Sequence, residues 1–281
     1  MALSRETIIG RLKNKTNAGL PIVGAGAGTG ISAKCEEAGG VDLIVIYNSG
    51  RFRMAGRGSL AGIMPYGDAN AIVMEMAGEV LTIVRDTPVL AGVCGTDPFR
   101  NMDYFLKQIR DIGFSGVQNF PTVGLIDGIF RMNLEETGMS YSMEVDMIRQ
   151  ARKLDLFTSP YVFNEEEARR MTEAGADVIV AHMGLTTNGT IGALTSMTLA
   201  EATERVQTIA DAAAGENPDV IVLCHGGPIS EPEDAAYVLD HTSGVDGFYG
   251  ASSMERLPTE TAITEQIRKF TNLRMRKEHR A

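Results

Sequence analysis

The 281-residue chain has no tryptophan, only three cysteines and four histidines, and each shortage narrows what it does. Cys35, Cys94 and Cys224 are odd in number and widely spaced, with no Cys-x-x-Cys pair and no zinc spacing. That pattern points to a reduced, cytoplasmic protein. No apolar stretch approaches the ~18 residues of a membrane span, so no membrane partner is expected. Met1 to Thr16, with Arg5, Glu6, Arg11, Lys13 and Lys15 along it, lacks the apolar centre of a signal peptide. A basic field is missing too. Lys+Arg number 26 against 36 Asp+Glu, a net charge of −10, and no nucleic-acid partner is expected.

Several catalytic classes lack their parts. Lys13, Lys15, Lys34, Lys107, Lys153, Lys269 and Lys277 all lie away from the ends of apolar runs. A Schiff-base aldolase needs a desolvated lysine at such an end. There is no GxSxG elbow, no HExxH and no GKS or GKT after a glycine loop. Gly28-Thr29-Gly30 with Ala33 matches a loose GxGxxA. The residue ending the next run is Asn48 rather than an acid, which weakens a dinucleotide reading.

What the chain does have is a repeated pattern. Eight short, continuous apolar runs recur: Pro21–Gly24, Leu43–Asn48, Val89–Cys94, Gly116–Phe120, Phe157–Val162, Asp177–His182, Val220–His225 and Val245–Gly250. Continuous rather than alternating runs indicate strands buried on both faces of a parallel sheet. Helical patterns fill the gaps. Ser4, Asp68 and Asn164 read as N-caps, Gly175 as a helix stop, and Thr198 with Glu201 and Ser230 with Glu233 as capping boxes. Residues 121 to 155 read as a loop followed by two helical pieces. The expected architecture is α/β, a single (β/α)8 TIM barrel over 1–281 with an extra N-terminal helix that closes its bottom. An open doubly wound sheet is the rival.

In a barrel the chemistry sits where strands end, which turns the strand map into a roster of candidates. His182 and His225 end adjacent strands and suit acid/base work, or alternatively bond neighbouring loops. Asp97 follows Gly95-Thr96; it would accept a proton, hold a divalent cation such as Mg²⁺, or cap a helix near Pro98. Asn119 ends the fourth run and would orient a substrate. Gly24 and Gly250 join these residues at the expected rim. Gly26, Gly28, Asn48, Gly226, Gly227, Gly250, Ser252 and Ser253 would receive an anion on backbone N–H groups and hydroxyls, or form tight turns. Arg51, Arg53 and Arg57 stand in a long loop that could clamp an anion, cover the mouth or meet another subunit. His241 falls at a helix end and His279 in a basic tail, both read as solvent-exposed.

Six motifs occur together in order: Gly24-Ala25-Gly26-Ala27-Gly28-Thr29-Gly30, Ala91-Gly92-Val93-Cys94-Gly95-Thr96-Asp97-Pro98, Gln118-Asn119-Phe120-Pro121-Thr122-Val123-Gly124, Ala181-His182-Met183-Gly184-Leu185-Thr186, Cys224-His225-Gly226-Gly227-Pro228, and Phe248-Tyr249-Gly250-Ala251-Ser252-Ser253-Met254-Glu255-Arg256. The chain thereby resembles the phosphoenolpyruvate hydrolase-like TIM-barrel family over nearly its whole length. It is also similar to the C-terminal domain of a plant antiviral resistance protein. The resemblance implies a TIM barrel and an enzyme acting on a small phosphorylated or enolic carboxylate. A metal-dependent lyase or aldolase of the phosphoenolpyruvate mutase type, or a non-catalytic ligand-binding domain, are the alternatives. The Lys-Lys-Cys-Gly-His motif of the more distant isocitrate lyases is absent. The expected partners are a small anionic ligand and further copies of the chain in a homo-oligomer.

Overall fold

The computed structural model describes residues 2–275. His279 and the end of the basic tail lie outside them. Every apolar run forms a strand, and the strands belong to one parallel sheet. They are β1 (Ile22–Ala27), β2 (Leu43–Ile46), β3 (Val89–Gly92), β4 (Gly116–Gln118), β5 (Phe157–Thr158), β6 (Tyr161–Val162), β7 (Val178–His182), β8 (Ile221–His225) and β9 (Gly247–Gly250). Their order is β5-β4-β3-β2-β1-β9-β8-β7-β6. The fifth run is therefore split in two. Its halves form the opposite ends of the ladder, and only Ser159 and Pro160 separate them.

Proline brings no N–H to a ladder, and side chains at the end of β4 compensate at the split. Asn119 Oδ1 accepts from Tyr161 N at 2.7 Å and its Nδ2 donates to Tyr161 O at 3.2 Å. Gln118 Nε2 donates to Ser159 O at 3.0 Å. Backbone bonds continue on either side, from Ser159 N to Val117 O and from Val180 N to Pro160 O. The sheet thus curls until its two ends meet at one short stretch of chain.

Burial on both faces produces two cores. Leu43 and Val45 point inward with Ile22, Leu90, Phe157, Val178, Val180, Ile221 and Leu223. Ile44 and Ile46 point outward against the surrounding helices. Those helices are α2 (Gly30–Ala38), α3 (Asn48–Met54), α4 (Ala69–Val80), α5 (Met102–Ile112), α6 (Gly128–Glu136), α7 (Tyr141–Lys153), α8 (Glu165–Glu173), α9 (Leu199–Glu216), α10 (Pro232–Asp240) and α11 (Arg256–Thr271). Before them, α1 (Arg5–Asn17) buries Ile8 and Leu12 in the inner core. Each such side chain contributes about 1.5–3 kcal/mol. Arg5 anchors the same helix by pairing with Asp177 at 2.5 Å.

The N-caps at Ser4, Asp68 and Asn164 form as the sequence suggests, as do the Thr198–Glu201 capping box and the left-handed Gly175. Three local expectations change. The second capping box pairs Glu231 with Asp234, because Pro232 takes the first helical position and shifts the cap by one residue. Asp97 caps no α-helix; it closes a turn onto Phe99 N, and α5 starts later with Asn101 as its cap. Gly24 is mid-strand rather than at the rim. A Cβ there would lie 2.5 Å from the Tyr249 ring, so glycine makes room for an inward tyrosine.

Candidate functional site

The strand β2 runs directly into α3, and helical pitch then sorts the arginines. Ser49 and Arg53, four residues apart, share the inward face. Arg51 points out and pairs with Glu75, and Arg57 is exposed. The three arginines therefore do not form one clamp. Arg53 is buried, with Nε and Nη2 donating to Glu255 Oε2 at 3.0 and 2.7 Å and Nη2 also to Gly26 O at 2.8 Å. Beyond α3, a 3-10 turn at Ser59–Ile63 brings the loop back over the strand ends.

Beneath that loop lies a chamber of about 30 Å³ lined by Tyr47, Ser49, Arg53, Ser59, Tyr161, His182, Thr186, His225 and Ser252, among others. That is room for about one or two water molecules. Wider clefts flank it. One of about 390 Å³ shares Ser59, Thr186 and Ser252 with the chamber. Another, of about 710 Å³, shares Leu125, His182 and Gly184.

His182 and His225 are register partners on β7 and β8, with ring centroids 4.6 Å apart. Tyr161 lies against both rings, at 4.9 and 5.0 Å. Their backbone contacts fix opposite tautomers. His182 Nδ1 accepts from Gly184 N at 3.0 Å, which leaves the proton of the neutral ring on Nε2. His225 Nδ1 faces Tyr249 O at 2.5 Å and must donate, which leaves a lone pair on Nε2. Burial depresses both imidazoles: His182 well below its ordinary value, with the field of His225 adding to the effect, and His225 to about 4. Both rings are neutral at neutral pH, one a donor and the other an acceptor.

The other predicted residues divide sharply. Ser252 joins the chamber. Asn119 is fully buried and braces Tyr161, while its Nδ2 also donates to Glu144 Oε2 at 2.7 Å. Burial raises that Glu144 carboxyl to about 7, although Thr122, Val123 N and Asn119 all bond it. Asn48 donates to Gly62 O and accepts from Ser49 N, holding the turn into α3. Gly28 lets α3 approach; a Cβ there would lie 2.1 Å from Gly50 O. The expected anion cradle is filled by the protein's own carboxylates. Gly28 N donates to Glu255 Oε1 and Gly30 N to Glu79 Oε1, each at 2.5 Å. A Cβ on Gly26 would meet the Tyr47 hydroxyl at 2.9 Å, so this glycine too serves packing.

The rim after β8 and β9 is equally committed. Gly226 and Gly227 are left-handed, at φ +76° and +59°, and Gly227 N donates to Gly184 O at 2.8 Å. A side chain at 227 would also strike Met183 O, so Gly227→Val would strain the loop itself. Gly250 is crowded by Met254, Phe248 and Ser253. After it come turns whose amides bond back to Ala251 and Ser252, and α11 starts only at Arg256. Ser253 Oγ is buried without a partner. His241 is exposed at the end of α10, its Nδ1 on Tyr237 O.

Asp97 sits elsewhere, in a cavity of about 460 Å³ with Asn70, Cys94, Arg100 and Thr122. Burial raises its carboxyl, but Asn70, Phe99 N and Arg100 outweigh this and hold it below its ordinary value. Arg100 bridges it to Asp68. The polar side chains of the chamber beyond His182, His225 and Ser252 are Tyr47, Ser49, Arg53, Ser59, Tyr161 and Thr186, of which the sequence reading offered Arg53 only as part of a loop clamp. The i, i+4 spacing of Ser49 and Arg53 directly after a strand end was the available signal for two of them.

Solved structures of similar fold are α/β and barrel-like. A 2,3-dimethylmalate lyase, described as a PEP mutase/isocitrate lyase superfamily member, aligns with TM-score 0.61 at 16% identity, covering 100% of this chain and 93% of its own. A phosphonopyruvate hydrolase in complex with oxalate and Mg++ aligns with TM-score 0.59 at 17% identity, covering 95% and 89%. The family model described as phosphoenolpyruvate hydrolase-like matches residues 7–273, and the chain belongs to that family. In tomato (Solanum lycopersicum), the ToMV susceptible protein tm-1(GCR26) and the ToMV resistance protein Tm-1(GCR237) are each 66% identical over 271 residues. The match covers 96% of this chain but 36% of each tomato protein.

The Mg++ of that hydrolase complex raises the question whether a divalent cation fits here. Such ions want several oxygen ligands, usually with one or more carboxylates. Among the described residues no group of three His, Cys, Asp or Glu side chains converges on a metal position. No carboxylate lines the chamber. Asp97 already holds an arginine, which a cation would have to displace. The chamber residues do not fit the ion, and Asp97 would hold one only by giving up Arg100. No helix of the described residues is long and apolar enough to cross a membrane.

Proposed function

We propose that this chain is an enzyme acting on a small phosphorylated or enolic carboxylate at the C-terminal rim of a single-domain, eight-stranded barrel, with β5 and β6 counted as one interrupted strand. The observation that carries this reading is the pair of complementary tautomers at His182 and His225. A lone pair and an N–H in one chamber suit a step in which one proton leaves and another arrives. His225 Nε2 takes a proton from water or from carbon, and His182 Nε2–H donates one to the enolic or leaving oxygen. A base near pKa 4 is weak in the chamber as it stands. An arriving anion strengthens it, because negative charge favours the imidazolium. The chamber is too small for a whole substrate, so the body of one lies in the flanking clefts that share its lining. Asn119 acts as a positioning residue that holds β6 in place, and Asp97 stands outside the reaction.

The test is a turnover screen over phosphorylated and 2-oxo carboxylates with His182→Asn and His225→Asn. Each should lower turnover by ~10²–10⁴-fold. Near wild-type rates in both would sink the reading. A second reading, a binding domain without turnover, gains support from the small chamber and from tomato relatives named for virus susceptibility and resistance. Thermal stabilisation by a ligand that is never consumed would favour it.

The protein is proposed to be cytoplasmic and to form a homo-oligomer. Helix α11 buries only Arg256, while Ile263, Ile267 and Phe270 stand exposed along one stripe. A second copy covering that stripe would remove the largest apolar exposure on the helix. Light scattering should read at least a dimer, and Ile267→Asp should return it to monomer. A wild-type monomer would refute the assembly.

A further inference from the structure

The rim chamber is built from donors. Arg53 Nη1 donates to no carboxylate or carbonyl, with only the Tyr47 hydroxyl beside the guanidinium, and the hydroxyls of Ser59, Thr186 and Ser252 make none of the described hydrogen bonds. The His182 tautomer adds an N–H. Against these stand His225 Nε2, which only accepts, and the lone pairs of the same hydroxyls, all of them uncharged. The carboxylate that balances Arg53 is Glu255, which lies behind it and outside the lining. Behind that pair, Glu36 is raised to about 8 by burial and by Glu255, so it adds no charge at neutral pH. A divalent cation placed here would meet a guanidinium and find no carboxylate. An oxyanion would meet a fixed positive charge and several free donors, the arrangement that recognises carboxylate or phosphate.

We infer that the chamber takes the oxyanion head of its ligand directly on Arg53 and the neighbouring hydroxyls, with no bridging divalent cation. The inference rests on the anionic-ligand reading above and parts from the Mg++-bound complex of the similar hydrolase fold. The small volume suits a head alone, and the flanking clefts of about 390 and 710 Å³ leave room for the body. Arg53 holds the head as a positioning group, while the histidines reach the reacting atoms. Carboxylate and phosphate share the chemistry the chamber recognises, so both serve as probes.

Isothermal titration of the full chain with oxalate and with inorganic phosphate, in EDTA and in excess Mg²⁺, decides this. At least one probe should bind in EDTA, and Mg²⁺ should leave its affinity within about twofold. Arg53→Lys should weaken it by roughly tenfold or more, because a compact ammonium lacks the span of the guanidinium that reaches Glu255 on one side and the chamber on the other. If circular dichroism shows that Arg53→Lys is unfolded, the Ser59→Ala/Ser252→Ala double variant reads the same chamber and should weaken binding too. Binding that appears only with Mg²⁺, or is ~tenfold tighter with it, overturns the inference and leaves the anionic-ligand reading standing. Folded variants that bind like the wild type place the anion elsewhere and overturn the inference. No binding of either probe in either buffer overturns the anionic-ligand reading and the inference with it.

Discussion

Two hollows open at the same rim, and they are built in opposite ways. The Asp97 cavity is large, about 460 Å³, yet its charged groups are spent on one another: Asp97 on Asn70 and Arg100, Arg100 on Asp68. The histidine chamber is about 30 Å³, yet it keeps several hydroxyls and one imidazole nitrogen without partners. Volume alone would select the first. Unused hydrogen-bonding capacity selects the second, since a ligand binds where protein groups still gain by bonding it.

The sharpest way to break this comparison is through its two arginines. Arg53→Met removes the partner of a Glu255 whose side chain is 0% exposed. Stranding a buried charge costs about 3–5 kcal/mol. Arg100 is 24% exposed and its partner Asp68 is 51% exposed, so Arg100→Met should cost only ~0–1 kcal/mol. Chemical denaturation of the two variants reads the difference. Equal losses would mean that the two ion pairs are equally wet and that the contrast drawn here is false.

A smaller effect comes from the carboxyl behind the chamber. Both Glu36 oxygens are buried without partners, and the group is raised from 4.5 to about 8. The native state then holds the extra proton between those values, so stability falls as pH rises through that window. Glu36→Gln removes the dependence. Its melting temperature should rise relative to wild type from pH 4.5 to 8 and level off above. A constant gap across the range would show that Glu36 is not protonated in the fold.

Asp97 sharpens the same comparison with the opposite sign. It is held below 3.8, so what it adds is present above that value and lost as pH falls through the lowered one. Asp97→Asn should therefore lower stability at neutral pH and converge with wild type in acid. Asp97 itself is 12% exposed, but its ionic partner Arg100 is 24% exposed and shared with a 51% exposed Asp68, so the shift in melting temperature should be the smallest of the set. Thermal melts at matched ionic strength read it, and a variant that is more stable at neutral pH would contradict the bonding described.

The sequence by itself determined the strands and where they end. A strand buried on both faces needs a continuous apolar run, a property of neighbouring residues, and all eight runs formed strands in the expected parallel sheet. His182 and His225 were legible for the same reason, as the last residues of two adjacent runs. Pro160 was visible too, but its consequence was not, since the bonds that repair the split come from Asn119 and Gln118 some 40 residues away. Only the tertiary structure decided which polar groups remain free. Gly28 N is taken by Glu255, 227 residues on, and Gly30 N by Glu79, 49 residues on. Arg53 turned inward and Arg51 outward because a helix, not a loop, follows β2. A polar group's partners are set by whatever the fold brings beside it, and nothing in its own stretch of sequence encodes them.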